Sequence, residues 1–173
     1  IEKYASDKPD LRIPIQIVNL AEPASKLGFV VFDSVLEKGG WVRGFRVPGG
    51  ASLSRKQIEK IEAAARDAGA GGAAWCKVTE EGATGPLSRF LVEDAGATFL
   101  AALEAQPGDL VVTIADQPRR AVVALDTVRR RAAELAGLVG EEDRLVWITE
   151  FPLFEQNDDG NWHPAHHPFT SPV

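Results

Sequence analysis

The longest periodic segment of the sequence, residues 118–138, constrains the fold more than any other part of the chain. Pro118 suits the first position of a helix, because that position needs no backbone N–H and proline already has a helical φ. Apolar residues then recur every three or four positions and predict one buried stripe, which consists of Val122, Leu125, Val128, Ala132, Leu135 and Leu138. Gly140 lies just past the predicted end of this helix. An amphipathic helix of this length packs its apolar face on a sheet or on other helices.

Four apolar stretches before this helix predict the strands of a sheet. Residues 29–36 and 41–47 are apolar and β-branched, and the Glu-Lys-Gly-Gly stretch between them predicts a β-hairpin. Residues 73–78 and 110–115 predict two further strands, because both are short apolar runs bounded by turn residues. These strands precede the long helix and supply a surface on which it can pack.

Shorter helices are predicted between the strands. Ser54 can accept a hydrogen bond from the backbone of Gln57 while the Gln57 side chain reaches back, which is a capping box. The helix that follows ends at Gly69, and its apolar face carries Ile58, Ile61, Ala65 and Ala68. A second short helix is predicted over residues 95–104. Strands interleaved with helices predict an α+β fold with a mixed or antiparallel sheet, since periodicity does not decide how the strands pair.

Strand patterns also occur near both ends of the chain. Ile13, Ile15 and Ile17 alternate with other residues and predict an edge strand. Residues 146–149 are apolar or β-branched and predict a buried strand. Turn-forming residues 156–161 then predict a tight hairpin, because Asp-Gly favours left-handed dihedral angles.

Pro48-Gly49-Gly50 lies between a predicted strand and a predicted helix, where backbone amides can bind a phosphate. The stretch lacks the Lys-Ser/Thr pair of a P-loop and the three glycines of a dinucleotide site. A structural turn is therefore the favoured interpretation.

Composition restricts the classes of protein and of partner. A chain of 173 residues has the size of one domain and can bury a core without staples. The single cysteine, Cys76, excludes an internal disulfide and fits a reducing cytoplasm. The apolar runs are far too short to span a bilayer. A net charge of −6 means that nucleic-acid binding would need a local basic patch. The absence of methionine, also at position 1, suggests an internal segment of a longer polypeptide.

The three histidines of the chain, His163, His166 and His167, all follow the predicted hairpin turn. Imidazole readily donates to a carboxylate and titrates near neutrality, so adjacent His166 and His167, followed by Pro168, suggest a fixed binding site. A pair of structural histidines on a loop is an equally open alternative. Zinc binding is a further alternative, although adjacent residues of a strand point to opposite faces and no cysteine lies near.

Five arginines load the long predicted helix with positive charge: Arg119, Arg120, Arg129, Arg130 and Arg131. Such a run is usually a solvated face with salt-bridged neighbours, and that is the preferred interpretation. Contact of Arg129, Arg130 and Arg131 with RNA is the alternative.

Four segments in colinear order resemble the bacterial-type aspartyl-tRNA synthetases, which are class II enzymes. Residues 151–155 (FPLFE) and 166–172 (HHPFTSP) look like the stretch before the third class motif. Residues 6–12 (SDKPDLR) are similar to the segment after the second class motif. Residues 46–57 (RVPGGASLSRKQ) resemble the inserted domain that the family shares with the B-type subunit of tRNA-dependent amidotransferases.

The resemblance implies three parts: a catalytic-core flank at 1–26, an inserted α+β domain at 27–142 and a second core flank at 143–173, the flanks being strand remnants of an antiparallel catalytic core. It implies a cytoplasmic, homodimeric parent enzyme that activates L-aspartate with ATP and Mg²⁺ and transfers it to tRNA. The arginines that the family places on ATP belong to two class motifs that this sequence does not contain. The segment alone is therefore expected to need no cofactor and to be inactive.

Transferred residue by residue, the resemblance implies that His166 contacts aspartate, with His167 beside it. Two other hypotheses remain: a stand-alone RNA-binding or adaptor module that uses the arginine-rich helix, and a small metalloenzyme built on the histidine loop. Whether the parent charges tRNA-Asp alone or also tRNA-Asn does not follow from this segment.

Overall fold

The structure is a computed structural model of the 173-residue chain, and it describes residues 2–142, 144–149, 151–157 and 159–165. The chain divides into two compact units, Ile1–Asp143 and Arg144–Val173. Within the part of the chain that the structure describes, no helix combines the length and the apolar character that a membrane crossing requires.

A five-stranded sheet forms the centre of the first unit. Its strands are β1 (Val18–Asn19), β2 (Trp41–Val47), β3 (Ala74–Thr79), β4 (Gly82–Thr84) and β5 (Leu110–Asp116). They lie in the order β1-β2-β5-β3-β4, and every neighbouring pair is antiparallel. β2 and β5 pair along their whole lengths, from Trp41 opposite Asp116 to Val47 opposite Leu110. The antiparallel form of the predicted sheet is therefore the correct one.

Helices cover both faces of this sheet. They are α1 (Ala21–Ala24), α2 (Val30–Glu37), α3 (Arg55–Asp67), α4 (Glu93–Ala102) and α5 (Pro118–Ala136). Helices α3 and α5 pack on one face, while α1, α2 and α4 pack on the other. Strand β5 is buried on both faces, because Leu110, Val112 and Ile114 join the α3–α5 core and Val111 joins the opposite one. The α+β fold predicted from the sequence is confirmed.

Local signals placed α3 and α5 correctly. Ser54 accepts from the backbone of Gln57 while the Gln57 side chain accepts from the backbone of Ser54, so the predicted capping box is present. Helix α5 begins at Pro118 as predicted. It ends earlier than predicted, because Gly137 adopts the left-handed conformation at φ 67° and stops the helix before Gly140. The Gly140 amide instead donates to the carbonyl oxygen of Arg12, at 2.9 Å.

The predicted hairpin of residues 29–36 and 41–47 is wrong, because its first arm is helix α2. Phe29, Phe32 and Leu36 are spaced by three and four residues and all pack into the core shared with α1 and α4. Val30 and Val31 are 75% and 51% exposed. The β-branched valines made a strand the favoured prediction. The segment is nevertheless helical, because a helix buries the two phenylalanines and the leucine together on one face.

The alternation of Ile13, Ile15 and Ile17 is present as alternating burial, with all three side chains in the α3–α5 core. Only Val18 and Asn19 pair with the sheet, opposite Gly44 and Arg43. The predicted edge strand is therefore much shorter than its sequence pattern. Residues 2–26 pack within the first compact unit, and their separate origin as a catalytic-core flank stays a prediction.

The second unit contains the predicted hairpin, formed by β6 (Phe154–Gln156) and β7 (Trp162–Pro164) in antiparallel register. Asn157 Oδ1 accepts from the amides of Asp159 and Asn161, at 3.1 and 2.8 Å, and orders the turn. The strand predicted at residues 146–149 is wrong, since these residues form no strand and Trp147 is 93% exposed. A buried strand needs neighbours on both sides of its backbone, and the described part of this unit supplies none for residues 146–149.

Candidate functional site

Arg129 is buried completely, so it is unlike the exposed arginines of the charged run. Its Nη1 donates to the carbonyl oxygen of Ile15, its Nη2 lies 3.4 Å from Asp126 Oδ1, and its guanidinium lies over the ring of Tyr4. Burial lowers the pKa of Arg129, and Asp126 opposes that shift. The side chain anchors residues 2–17, the N-terminal arm, beneath α5 and presents no surface to an RNA.

Arg43 makes a second buried anchor for the same arm. Its guanidinium lies 3.8 Å from the ring centroid of Trp41, and Nη1 donates to the carbonyl oxygen of Glu2. Burial lowers the pKa of Arg43 as well, although the negative charge of Glu2 opposes the shift. The Nε atoms of Arg43 and Arg129 make no hydrogen bond within the described residues. Both arginines therefore hold the N-terminal arm in place through its backbone carbonyl groups, and neither is available to bind a ligand.

Arg130 and Arg131 lie at the surface and are engaged by acidic neighbours. Arg130 Nε donates to Asp126 Oδ2 at 2.9 Å, and Arg131 Nη1 donates to Glu134 Oε2 at 3.2 Å. This is the salt-bridged face that the sequence favoured. Contact of Arg130 and Arg131 with RNA stays a prediction. Arg129 cannot make such a contact, because its side chain is inaccessible.

The histidines lie in the second unit or outside the described residues. His163 lies on β7 opposite Glu155, is exposed, and places Nδ1 3.4 Å from the carbonyl oxygen of Pro164. His166 and His167 lie outside the described residues, so their assignment to aspartate stays a prediction. Across the described ranges, no three histidine, cysteine, aspartate or glutamate side chains form a group that could hold a metal ion.

The Gly-Gly loop before α3 is a structural turn. Gly49 is left-handed at φ 68°, and its amide donates to Asp109 Oδ1 at 3.3 Å. The same buried carboxylate accepts from the amide of Gln106 and pairs with Arg46 Nη1, at 3.0 and 3.1 Å. A carboxylate already occupies the position that a phosphate would need, which supports the structural interpretation.

The structure contains a cavity of about 290 Å³ that the sequence did not indicate. It lies on the sheet face covered by α2, between that helix and the segments before β3 and after β4. Phe29, Phe32 and Leu87 form apolar walls, the backbone of residues 71–74 forms another, and Thr113 of β5 lies at the floor. Phe29 stacks on Phe90 with ring centroids 4.3 Å apart and meets Phe32 edge-on at 4.6 Å.

One charged residue, Arg89, lies at the edge of this cavity, whereas the Thr113 hydroxyl is directed toward Gly44 of β2 and has no accessible surface. The Thr113 hydroxyl is buried and forms no hydrogen bond with any described residue. Arg89 is exposed at the edge and donates through Nε to the carbonyl oxygen of Pro86, at 3.3 Å. The strand assigned to residues 29–36 concealed the cavity, because only a helix brings Phe29 and Phe32 together on one side.

These features define an α+β domain with a five-stranded antiparallel sheet between two helical layers and a mainly apolar cavity under α2. The family profile described as "GAD domain" matches residues 32–125, which is more than half of the chain. The chain belongs to the GAD domain family.

Curated relatives extend the similarity over the whole chain. Proteins described as "Aspartate–tRNA ligase" in Clostridium kluyveri and as "Aspartate–tRNA(Asp/Asn) ligase" in Anoxybacillus flavithermus are each 39% identical over 176 aligned positions. An "Aspartate–tRNA ligase" of Clostridium botulinum is 36% identical over the same length. Each alignment covers 100% of this chain but only 29–30% of the relative. The chain therefore spans about three tenths of the length of these relatives, and its similarity to an internal stretch of aspartate–tRNA ligases agrees with the resemblance found in the sequence.

Proposed function

We propose that this chain is part of an aspartate–tRNA ligase, to which it contributes the GAD domain and a segment of the aspartate pocket. The observation that carries the proposal is the end-to-end alignment, at 39% identity, with aspartate–tRNA ligases. The exposed apolar side chains of the second unit support it, because apolar surface of this kind marks contact with other protein. They include Leu145, Trp147, Leu153, Phe154 and Trp162.

The whole enzyme would activate L-aspartate with ATP, assisted by Mg²⁺, and transfer it to tRNA. It would do so in the cytoplasm, as a homodimer. No three histidine, cysteine, aspartate or glutamate side chains among the described residues form a group that could hold Mg²⁺, and the proposal assigns no catalytic step to this chain. The contribution proposed for the chain is recognition: an imidazole of His166 donates a hydrogen bond to the aspartate carboxylate, with His167 beside it. The isolated chain is accordingly expected to be inactive.

The alternative of a stand-alone RNA-binding module built on α5 has less support. Arg129 is inaccessible, and Arg130 and Arg131 are already paired with acidic neighbours. These three side chains therefore do not form a basic patch that is free of neighbouring carboxylates, which RNA binding would favour.

Aspartate-dependent pyrophosphate exchange tests the proposal. The protein encoded by the complete reading frame is expected to catalyse exchange with aspartate, and the 173-residue chain alone is expected to remain at background. Clear turnover by the isolated chain, or exchange driven by a different amino acid, would contradict the proposal.

The aspartate contact is tested by His166→Ala in that complete protein. Loss of a charge-assisted hydrogen bond of about 1.5–3 kcal/mol is expected to weaken aspartate use by about ten- to a hundredfold. The Michaelis constant for ATP is expected to change little. His163→Ala is the matched control, because His163 is exposed on β7 and is expected to be neutral. If His167→Ala damages aspartate kinetics while His166→Ala does not, the two roles are reversed.

A further inference from the structure

We propose that the outer face of α3, the side that carries Lys56 and Lys60, binds the phosphate backbone of RNA. The inference rests on the proposed function, because it takes that RNA to be the tRNA substrate. It assigns the contact to α3, whereas the salt-bridged arginines described above lie on α5.

The two helical layers of the first unit differ in the sign of their charge. Helices α3 and α5, on one face of the sheet, contain nine basic and five acidic residues, and Arg129 is the one buried member of the basic set. Helices α1, α2 and α4, on the other face, contain five acidic residues and no basic one. In a chain with a net charge of −6, the α3–α5 layer is therefore a local basic face, as binding of a polyanion requires.

Lys56 and Lys60 lie on the side of α3 that points away from the sheet. Ile58 is buried in the core and is two positions from each lysine, and residues two positions apart on a helix project about 200° from one another. Both lysines are exposed, and neither forms an ion pair with any described residue. Arg55 of the same helix, in contrast, pairs with Glu59. The charges of the two lysines are therefore available to a partner.

Neither lysine stabilises the helix that carries it. Lys56 lies in the first turn of α3, where the helix dipole disfavours a cation and where this helix has no acidic residue. Lys60 follows four positions later, and like charges at that spacing repel one another. The pair therefore weakens the helix slightly while it raises the positive potential of the outer face. Phosphates close to both ammonium groups would offset the repulsion.

The same face favours RNA over a membrane or a protein as the partner. Among the described residues, none of the exposed large apolar side chains lies on α3. A helix that binds a membrane surface inserts such side chains into the lipid, and a protein interface buries apolar or aromatic anchors at its centre. A basic face without them is suited to contacts made through charge, which are the contacts that a phosphate backbone offers.

Binding of a fluorescently labelled tRNA-Asp transcript to the 173-residue chain, measured by anisotropy in about 50 mM salt, tests the inference. The double variant Lys56→Ala, Lys60→Ala is expected to weaken binding about ten- to a hundredfold. It is also expected to reduce the slope of log K against log salt by about 1.5, since each lost phosphate contact removes about 0.7–0.9. Its urea midpoint is expected to be unchanged or raised, because alanine favours the helix and the like-charge pair is gone.

The double variant Lys26→Ala, Lys38→Ala is the matched control. It removes the same charge from two exposed lysines that follow α1 and α2 on the opposite layer, and it is expected to leave the affinity and the salt slope unchanged. Equal weakening by the two double variants would overturn the inference. It is also overturned if the transcript does not bind, if Arg130→Ala, Arg131→Ala weakens binding and the α3 variant does not, or if phosphatidylserine vesicles bind and the transcript does not.

A second measurement separates this inference from the proposed function. In the complete protein, Lys56→Ala, Lys60→Ala is expected to raise the Michaelis constant for tRNA severalfold. Aspartate-dependent pyrophosphate exchange does not consume tRNA, so it reports on the proposed function alone. Normal exchange with an unchanged Michaelis constant for tRNA would overturn the inference and leave the proposed function standing. Absence of exchange in the unmodified complete protein would overturn the proposed function, and the binding measurements on the 173-residue chain would then decide the inference alone.

Discussion

Asp109 joins three separate parts of the chain through one buried carboxylate. It pairs with Arg46 on β2, accepts from the amide of Gly49 in the loop before α3, and accepts from the amide of Gln106 in its own turn. Each of these donors would lose its partner if the carboxylate were removed. The residue therefore fixes the register of two loops at one end of the sheet.

Asp109→Asn tests this role, because asparagine has the same shape but only one accepting oxygen. We expect a loss of about 2–3 kcal/mol in the free energy of unfolding, moderated because the Arg46 side chain reaches water. Urea denaturation at constant m-value measures it. Glu59→Ala, which breaks an exposed pair with Arg55, is expected to cost less than about 0.5 kcal/mol. Equal losses in the two variants would contradict the assignment.

Cys76 supplies a prediction about pH. Burial on β3 raises the pKa of its thiol from 9.0 to about 12, because the thiolate would lie in an apolar core. Below pH 9 the thiol is neutral in both the folded and the unfolded chain and has no effect on the pH dependence. Between pH 9 and about 12 the unfolded chain ionises first, so stability is lost as the pH rises.

Thermal unfolding between pH 8 and about 11 measures this effect. Cys76→Ala is expected to flatten the alkaline decline, although the small cavity that it leaves lowers stability below pH 9. Native Cys76 is also expected to resist thiol-alkylating reagents until the chain unfolds. Rapid alkylation of the folded chain would contradict the buried assignment.

At the scale of elements, α2 separates two interpretations of the same residues. In a strand, Val30 and Phe32 would lie on the same face, because side chains alternate. In the helix they lie on different faces, with Val30 75% exposed and Phe32 1% exposed. The two side chains should therefore respond differently to truncation.

Phe32→Ala is expected to cost about 3 kcal/mol or more in the free energy of unfolding, since it leaves a cavity between α2 and α4. Val30→Ala is expected to change stability by less than about 0.5 kcal/mol. Chemical denaturation of the two variants measures the difference. Similar, large losses for both would support the strand and contradict the helix.

At the scale of the whole molecule, every side chain of the described residues that belongs to the two hydrophobic cores comes from residues 5–138. A chain of residues 1–143 is therefore expected to fold alone and to unfold in one cooperative transition. Calorimetry of this fragment, compared with the full chain, measures it. A fragment without a cooperative transition would show that its cores depend on residues 144–173.

The sequence by itself determined the elements whose signals are local. The Ser54–Gln57 capping box, Pro118 at the start of α5, the apolar run of β5 and the turn of the β6–β7 hairpin were all predicted and are present. The capping box, the helix start and the hairpin turn depend on residues within about five positions of one another, and the short apolar run of β5 is itself a local pattern although its partners β2 and β3 are distant in the chain.

Tertiary structure alone decided the helical state of α2, the burial of Arg129 and the cavity under α2. Each depends on residues distant in the chain: Phe29 packs on Phe90, and Arg129 is covered by Tyr4 and Ile15. An arginine beside two others resembles a solvated face until the N-terminal arm is placed over it. Local sequence patterns do not specify which distant segment covers a side chain. Whether a distant segment covers it decides if an arginine is buried in the core or exposed at the surface, and if a space in the core is filled or left as a cavity.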